Sequence, residues 1–519
     1  MRGGGARGRI SQPDSRKVPY VMNSRSKKIY LIYTSNSKMY PYFPSSSLSL
    51  AGILVKSGYQ PVIIDTELEP WEKTDFSDAL CVCISTFTGP WLKTAINVAQ
   101  TIRHRHPQLK ILWGGPHAIA LPELTARHPL VDALCYTEGE NVIAPLVDGI
   151  YSGLGYENVR GIMFRSPDGS IVKNPPPDEL KMDDVEVPPY ELLNLNLYSI
   201  KQGRIYYQTS RGCVFKCRFC SYESGKKWRG KSYEKVIADF IKIDSMFHPE
   251  ELQLFDGNFF VDLNRVRQIL QKKIDMGLKF RWSAYCRFDT FSRLDTGFLE
   301  LMQKSGCYEL KFGGESGSRK ILEYVQKETK PEQISDGVEK CVRYGITPML
   351  SFMTGFPNET DEDLACTVRL IKDIKRNHPR AEINGLFLLQ HLPNTPLTDE
   401  IISKYGIKHP DTLEKWINYH LIWTIREDYP WMSRREYSAR KTLSSIISYQ
   451  YLSDILLRMP KSLRAGTLLR SPLAFFIFRA SDYLIRKVFV ALRWEKNFMF
   501  LPLEWRLWDL FRKKLLRMC

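Results

Sequence analysis

The sequence has no apolar run of about 18 residues, the length a helix needs to cross a bilayer. The longest apolar run toward the C-terminus, residues 473–478, is far shorter. The N-terminus has no apolar segment of the kind a signal peptide carries. Residues 1–27 hold seven Lys/Arg and one Asp and read as a flexible basic tail. Cysteines are few, 11 in 519 residues, and mostly scattered. That excludes a disulfide-stapled scaffold and points to a reducing, cytoplasmic setting. There is no internal repeat and no low-complexity tract. Acidic residues are the scarcer charge, 57 Asp+Glu against 74 Lys+Arg, for a net charge of +17. The surplus suits an acidic macromolecule, a membrane surface or an anionic substrate without choosing among them. A composition 43% hydrophobic and 25% charged is that of a globular chain, not a disordered or collagenous one.

What is present is a twofold β-α alternation. Between residues 28 and 150, strands are expected at 29–33, 61–64, 80–84, 111–113 and 133–136. Helices are expected at 48–56 and 91–106, the second with Leu92, Ala95, Ile96, Ala99 and Ile102 on one face. Such alternation predicts a parallel sheet covered on both sides, with ligands at the carboxyl ends of its strands. The loops there contain Ser85, Thr86, Thr88, the Gly114-Gly115 pair and Glu138-Gly139-Glu140. They are rich in small and hydroxyl residues and would let a large flat ligand approach the backbone.

Residues 151–200, with Pro175-Pro176-Pro177 and an acidic stretch at 178–186, read as a linker. A second β-α series occupies 201–400, with strands expected at 205–210, 251–255, 279–284, 308–312, 347–354 and 383–389. Six repeats suggest a partial (β/α)6 barrel with its chemistry at the strand C-termini. Residues 401–519 turn helical, aromatic and basic; 451–519 alone hold fourteen Lys/Arg and five Asp/Glu. That region reads as a helical cap, or else as a docking surface for a protein, a membrane or, last in order, a nucleic acid. The chain is thus read as α/β: an N-terminal Rossmann-like (flavodoxin-like) domain, a central partial barrel and a mainly helical C-terminal region.

One cluster of cysteines is not scattered. Cys213, Cys217 and Cys220 form C-x3-C-x2-C just after the first strand of the second series. Three thiolates within eight residues can share one loop and hold three irons of a four-iron cubane, leaving the fourth iron open to a small molecule. Structural zinc is the alternative; it needs four closed ligands, and Cys286 or Cys307 would have to supply the last.

The loop, with Phe219 before its last cysteine, resembles the radical S-adenosylmethionine (SAM) superfamily. Later stretches resemble the same family in order: Leu254-Phe255-Asp256-Gly257-Asn258-Phe259, Gly313-Gly314-Glu315-Ser316-Gly317, Gly355-Phe356-Pro357-Asn358-Glu359-Thr360, and Pro393-Asn394-Thr395-Pro396-Leu397. In the last, Asn394 stands where the family usually has glycine. The resemblance covers about residues 200–400. It implies a [4Fe-4S] cluster on Cys213, Cys217 and Cys220, with SAM chelated at the open iron. It also implies SAM contacts from Phe219, Gly313, Gly314, Glu315, Ser316 and Ser351. Asp256 and Asn258 read as turn residues. Arg287 reads either as a partner for a carboxylate or as a brace of the barrel mouth.

Residues 28–150 resemble the cobalamin-binding domain that precedes the barrel in one large radical SAM class, methyltransferases among them. The resemblance implies cobalamin contacts from Ser85, Thr86, Thr88, Gly114, Gly115, His117, Glu138 and Gly139. One departure stands out. After the first strand many cobalamin domains carry Asp-x-His-x-x-Gly, whose histidine reaches cobalt; here Ser35-Asn36-Ser37-Lys38-Met39-Tyr40 has none.

The implied function is a cobalamin-dependent radical SAM C-methyltransferase acting on an unactivated carbon of a protein side chain, a lipid or a natural product. A flavodoxin- or ferredoxin-type reductant would serve it. Cyclisation, ring rearrangement or oxidation without methyl transfer is the second reading, and a non-catalytic protein with a structural metal the third. No catalytic base is expected. The protein is expected in the cytoplasm, with peripheral membrane contact through the C-terminal region.

Overall fold

A computed structural model describes residues 28–35, 43–198, 203–220, 227–419 and 426–458. The basic tail, residues 36–40 of the first loop and the aromatic, basic stretch beyond 458 lie outside the described residues. The chain forms two compact units. One comprises residues up to 212, 227–282 and 409–421; the other comprises 213–226, 283–408 and the residues from 422.

The first unit is built on a seven-stranded sheet. Its strands are β1 (Lys28–Tyr33), β2 (Gln60–Asp65), β3 (Ala79–Ser85), β4 (Lys110–Gly114), β5 (Ala133–Cys135), β6 (Ile162–Arg165) and β7 (Ile171–Lys173), in the order β2-β1-β3-β4-β5-β6-β7. The first five pair in parallel, and β6 and β7 add antiparallel. The 2-1-3-4-5 order is flavodoxin-like, with its switch point between β1 and β3. The core follows the sequence pattern: Leu92, Ala95, Ile96, Ala99 and Ile102 of the helix Trp91–Arg105 are all buried, packed with Ile32, Val82, Ile84 and Trp113. The same core takes in Leu413 and Trp416 from a short helix far along the chain.

Residues 151–200, expected to be a linker, hold the β6–β7 hairpin. Its turn is made by Gly169 in the left-handed region (φ 86°) and by Asp168, which accepts from the Ser170 amide at 3.0 Å. The strands are short, three and four residues, and flanked by turn residues and prolines, so their alternation is faint.

The first unit also carries β8 (Arg204–Tyr207), β9 (Ser210–Arg211), β10 (Arg229–Gly230) and β11 (Glu251–Leu254). β8 and β11 pair in parallel, and β9 and β10 antiparallel. β8 ends earlier than the expected residue 210. Buried Asp256 captures the Thr209 amide at 2.7 Å and the Ser210 hydroxyl at 2.7 Å, which turns the chain out of the sheet.

β12 (Arg281–Cys286), at which the units divide, is followed in the second unit by β13 (Cys307–Glu315), β14 (Thr347–Thr354) and β15 (Glu382–Leu388). The sheet order is β15-β14-β13-β12-β11-β8, with β13, β14 and β15 paired in parallel. This is the expected six-strand series, each element within a few residues of its sequence position. The helix Pro396–Tyr405 is N-capped by Thr395, whose hydroxyl accepts from the Thr398 amide. Leu397 and Ile401 of that helix join Ile321, Val325, Phe356 and Leu389 in a local core. The helix Arg434–Arg458 sends Arg440 inward to Glu359 at 3.0 Å, both side chains almost fully buried. No helix among the described residues is long and apolar enough to cross a membrane.

Candidate active site

In the second unit the cysteine loop is stapled at Arg218. Its amide donates to the Val325 carbonyl at 3.0 Å, and its own carbonyl accepts from the Leu397 amide at 3.0 Å. Its guanidinium lies on the Tyr324 ring and donates to Glu400. Phe219 packs against the core that contains Val325 and Leu397. Two helices thus hold the loop by its middle, and the cysteines lie on either side of the staple.

Cys213, Cys217 and Cys220 are unpaired thiols, Cys217 buried and the other two partly exposed. Burial pushes the Cys213 thiol up and Cys217 and Cys220 add to it, while the Arg287 guanidinium opposes them. The three sulfurs are therefore close enough to feel one another. Among the described residues, no three His, Cys, Asp or Glu side chains converge tightly enough to hold a single ion. A cubane spaces its three thiolates on three irons rather than one, so this donor set, three soft thiols on one loop with no disulfide, fits a four-iron cluster. Cys286 and Cys307, the candidates for a fourth zinc ligand, are buried, and burial pushes both thiols well up.

Glu315 closes β13 in the left-handed region (φ 55°), and its carboxylate accepts from Lys327 Nζ at 2.8 Å. Both residues flanking Lys327, Gln326 (φ 53°) and Glu328 (φ 57°), are left-handed as well. At Gly313 a Cβ would stand 2.1 Å from Glu315 Oε1 and 2.7 Å from Lys327 Nζ, so any larger residue would push that ion pair aside. At Gly314 a Cβ would meet the Phe352 ring at 2.9 Å. Ser316 is fully buried, and its hydroxyl bonds to Thr367 Oγ1 at 2.9 Å, tying the turn to the helix Asp361–Asn377. Ser351 Oγ accepts from Asn384 at 3.2 Å. Asn394 is left-handed (φ 61°), the conformation expected where it replaces glycine and one that asparagine tolerates.

Arg287 follows β12. Its Nε donates to Asp289 at 2.8 Å, Nη1 to Cys217 Sγ at 3.2 Å and Nη2 to the Lys327 carbonyl. Arg218 and Lys327 carry no signal in the sequence. Only the fold brings them to the loop and to Glu315.

In the first unit the residues expected at cobalamin divide into two groups. Thr86, Thr88 and His117 are buried. His117 Nδ1 bonds to Thr88 Oγ1 at 2.9 Å, its Nε2 has no hydrogen-bond partner, and its ring lies against Trp416. Burial pushes His117 down to about 4. Gly115 (φ 92°) is required by its own neighbours, since a Cβ would stand 2.8 Å from the Thr86 nitrogen; Gly139 is pressed against Leu50. Ser85, Gly114 and Glu138 are partly exposed. Gly114 has nothing nearer to a Cβ than Cys135 at 3.9 Å, the open surface a flat ligand needs. Glu138 is taken by Arg229 (2.8 Å) and Arg211 (3.2 Å), and Glu140 by Arg211 (2.6 Å) and Ser49 (2.6 Å). Burial pushes both carboxyls up, but the arginines outweigh it and hold them below their usual range.

The family model of the radical SAM superfamily matches residues 207–371. An uncharacterised methyltransferase of Pyrococcus horikoshii is 30% identical over 345 residues, 64% of this chain and 73% of that protein. The anaerobic magnesium-protoporphyrin IX monomethyl ester cyclase of Rubrivivax gelatinosus is 25% identical over 338 residues, 62% of this chain and 61% of its own length. The cobalamin-dependent S-adenosylmethionine radical enzyme OxsB, solved with aqua-cobalamin and S-adenosylmethionine bound, shares the fold. It aligns with a TM-score of 0.70 at 16% identity, covering 95% of this chain and 80% of that one.

The chain belongs to the radical SAM superfamily, with a relative named as a methyltransferase. It is an enzyme, and it shares its fold with OxsB along nearly the whole chain.

Proposed function

We propose that the protein is a radical SAM C-methyltransferase that binds a [4Fe-4S] cluster, SAM and cobalamin and methylates an unactivated carbon. The observation that carries the proposal is the likeness of fold to OxsB along 95% of the chain, with C-x3-C-x2-C directly after β8 and β9. When bound, these groups supply one-electron cleavage of a sulfonium carbon–sulfur bond and a transferable methyl group.

The chain's own residues position and shield. Cys213, Cys217 and Cys220 hold the cluster, and Arg218 and Phe219 fix their loop. Gly313, Gly314, Glu315, Ser316 and Ser351 form the SAM edge, where Lys327 orients the Glu315 carboxylate and Gly313 leaves room for both. Ser85, Gly114 and the Glu138 turn form the open part of the cobalamin cradle. Thr86, Thr88, Gly115, His117 and Gly139 shape it from behind. No general base is assigned. The electron comes from a flavodoxin- or ferredoxin-type donor, and the acceptor is a protein side chain, a lipid or a natural product.

The cyclase relative favours a second reading, ring formation without methyl transfer. Reconstituted enzyme, a low-potential reductant and methyl-labelled SAM, incubated with fractionated cell extract, separate the two. Label in an extract component together with 5′-deoxyadenosine supports methyl transfer. Deoxyadenosine with a product lacking label supports the second reading, and no deoxyadenosine with any fraction defeats both.

A further inference from the structure

Arg287 has a more specific placement than a brace of the barrel mouth requires. Its guanidinium is only 8% exposed and lies over the Phe215 ring, with Cζ 3.6 Å from the ring centre. Three of its donors are engaged in different directions: Asp289, the Lys327 carbonyl and Cys217 Sγ. Asp289 is steadied in turn by the Thr329 hydroxyl at 3.1 Å. The Lys327 carbonyl reaches Arg287 because the two residues flanking it are held in the left-handed region, an arrangement that costs free energy and persists only where the surroundings enforce it. A stacked, three-point guanidinium cannot swing toward a ligand without breaking this set. What it presents to the loop is one charged N–H, 3.2 Å from a single cysteine sulfur.

We propose that Arg287 is a positioning residue that raises the reduction potential of the four-iron cluster through its hydrogen bond to Cys217, with Asp289 as the counter-charge that limits the effect. The proposal rests on the reading that the three cysteines hold such a cluster. The step concerned is the gain of one electron from an external low-potential donor. No bond is made or broken, and no proton moves. Arg287 stabilises the added negative charge on the thiolate side, and hydrogen bonds to cluster sulfurs are among the features that set such potentials.

The test is an electron paramagnetic resonance titration of reconstituted full-length protein, wild type beside Arg287→Gln, Arg287→Lys and Asp289→Asn, at matched iron content, with SAM affinity measured alongside. The midpoint should move negative in Arg287→Gln, less so in Arg287→Lys, and positive in Asp289→Asn. Opposite signs from two touching residues are not what a loosened loop would produce. Should Arg287→Gln fail to take up iron, Arg287→Lys and Asp289→Asn decide by the same signs. Midpoints equal to wild type, with SAM affinity lost in the Arg287 variants, would make Arg287 a carboxylate contact for SAM and overturn the proposal. Wild-type protein that takes up no four-iron cluster is a separate result, and it overturns the proposed function itself.

Discussion

The two sheets meet the same problem, a row of strand ends beneath a ligand, with different chemistry. In the unit of the seven-stranded sheet, every left-handed residue among those described in 28–198 is glycine. None of its described α-helices begins with a side-chain cap. In the six-stranded sheet, six helices are capped by Ser232, Asp262, Asp295, Ser318, Thr360 and Thr395. That region also contains all five left-handed non-glycine residues among those described, Glu315, Gln326 and Glu328 among them. A platform for a large flat ligand needs bare backbone and room. A site that must hold a few atoms in one geometry uses strained backbone and pays with capped helices and buried ion pairs around it.

The largest expected effect is the sharpest test of that contrast. Cys213, Cys217 and Cys220 replaced together by alanine should leave no cluster absorbance and no deoxyadenosine, while Cys83→Ala in β3 leaves the iron content at the wild-type value. Iron retained by the triple variant would remove the basis of the comparison.

Next comes the buried pair Arg440–Glu359, just after the carboxyl end of β14. Arg440→Met leaves Glu359 without its cation, and losing one partner of such a pair costs about 3–5 kcal/mol. Thermal unfolding should fall accordingly, and an unchanged melting temperature would show that the pair braces nothing.

The third concerns pH. His117 is held near 4 in the fold against 6.5 as its ordinary value. Below pH 6.5 the unfolded chain takes a proton that the folded chain refuses, so stability falls as pH drops from 6.5 toward 4, by about 3 kcal/mol in all. Asp65 runs the other way. Burial pushes it up to about 6 against the amide of Glu67 and the Tyr198 hydroxyl, so its contribution is lost as pH rises through that range. The His117 effect is therefore read as the difference between wild type and His117→Asn, which should narrow toward pH 4.

Two glycines then set stability against activity. Alanine at Gly115 meets the Thr86 backbone and a left-handed φ worth about 1–2 kcal/mol of strain. Alanine at Gly313 meets only the tips of Glu315 and Lys327, which can swing away. Gly115→Ala should thus lower the melting temperature more, and Gly313→Ala should lower deoxyadenosine formation more. The reverse order would refute the division into platform and strained site. The smallest effect is a gain: Gln326→Gly relieves about 1 kcal/mol of backbone strain, should raise the melting temperature slightly, and should slow turnover by freeing Lys327.

Much of this was legible in the residues. Strand and helix positions followed from alternation because each element buries one face, so β14 was expected and found at 347–354. The cysteine spacing identified the loop because three thiolates within eight residues have few other uses. Asn394, in a glycine's place, makes a left-handed turn that the structure reveals. Trp416, in contrast, packs beside His117 in the core of the first unit. Nothing local marks a contact made across some 300 residues of sequence.

By itself the sequence determined the class: two β-α series and a cysteine loop, each written in short-range periodicity and spacing that local sterics and metal chemistry interpret directly. Only the tertiary structure decided which charges serve that loop. Arg218, Lys327 and Arg287 are ordinary basic residues until folding removes them from water and leaves Glu400, Glu315 and Cys217 as their partners.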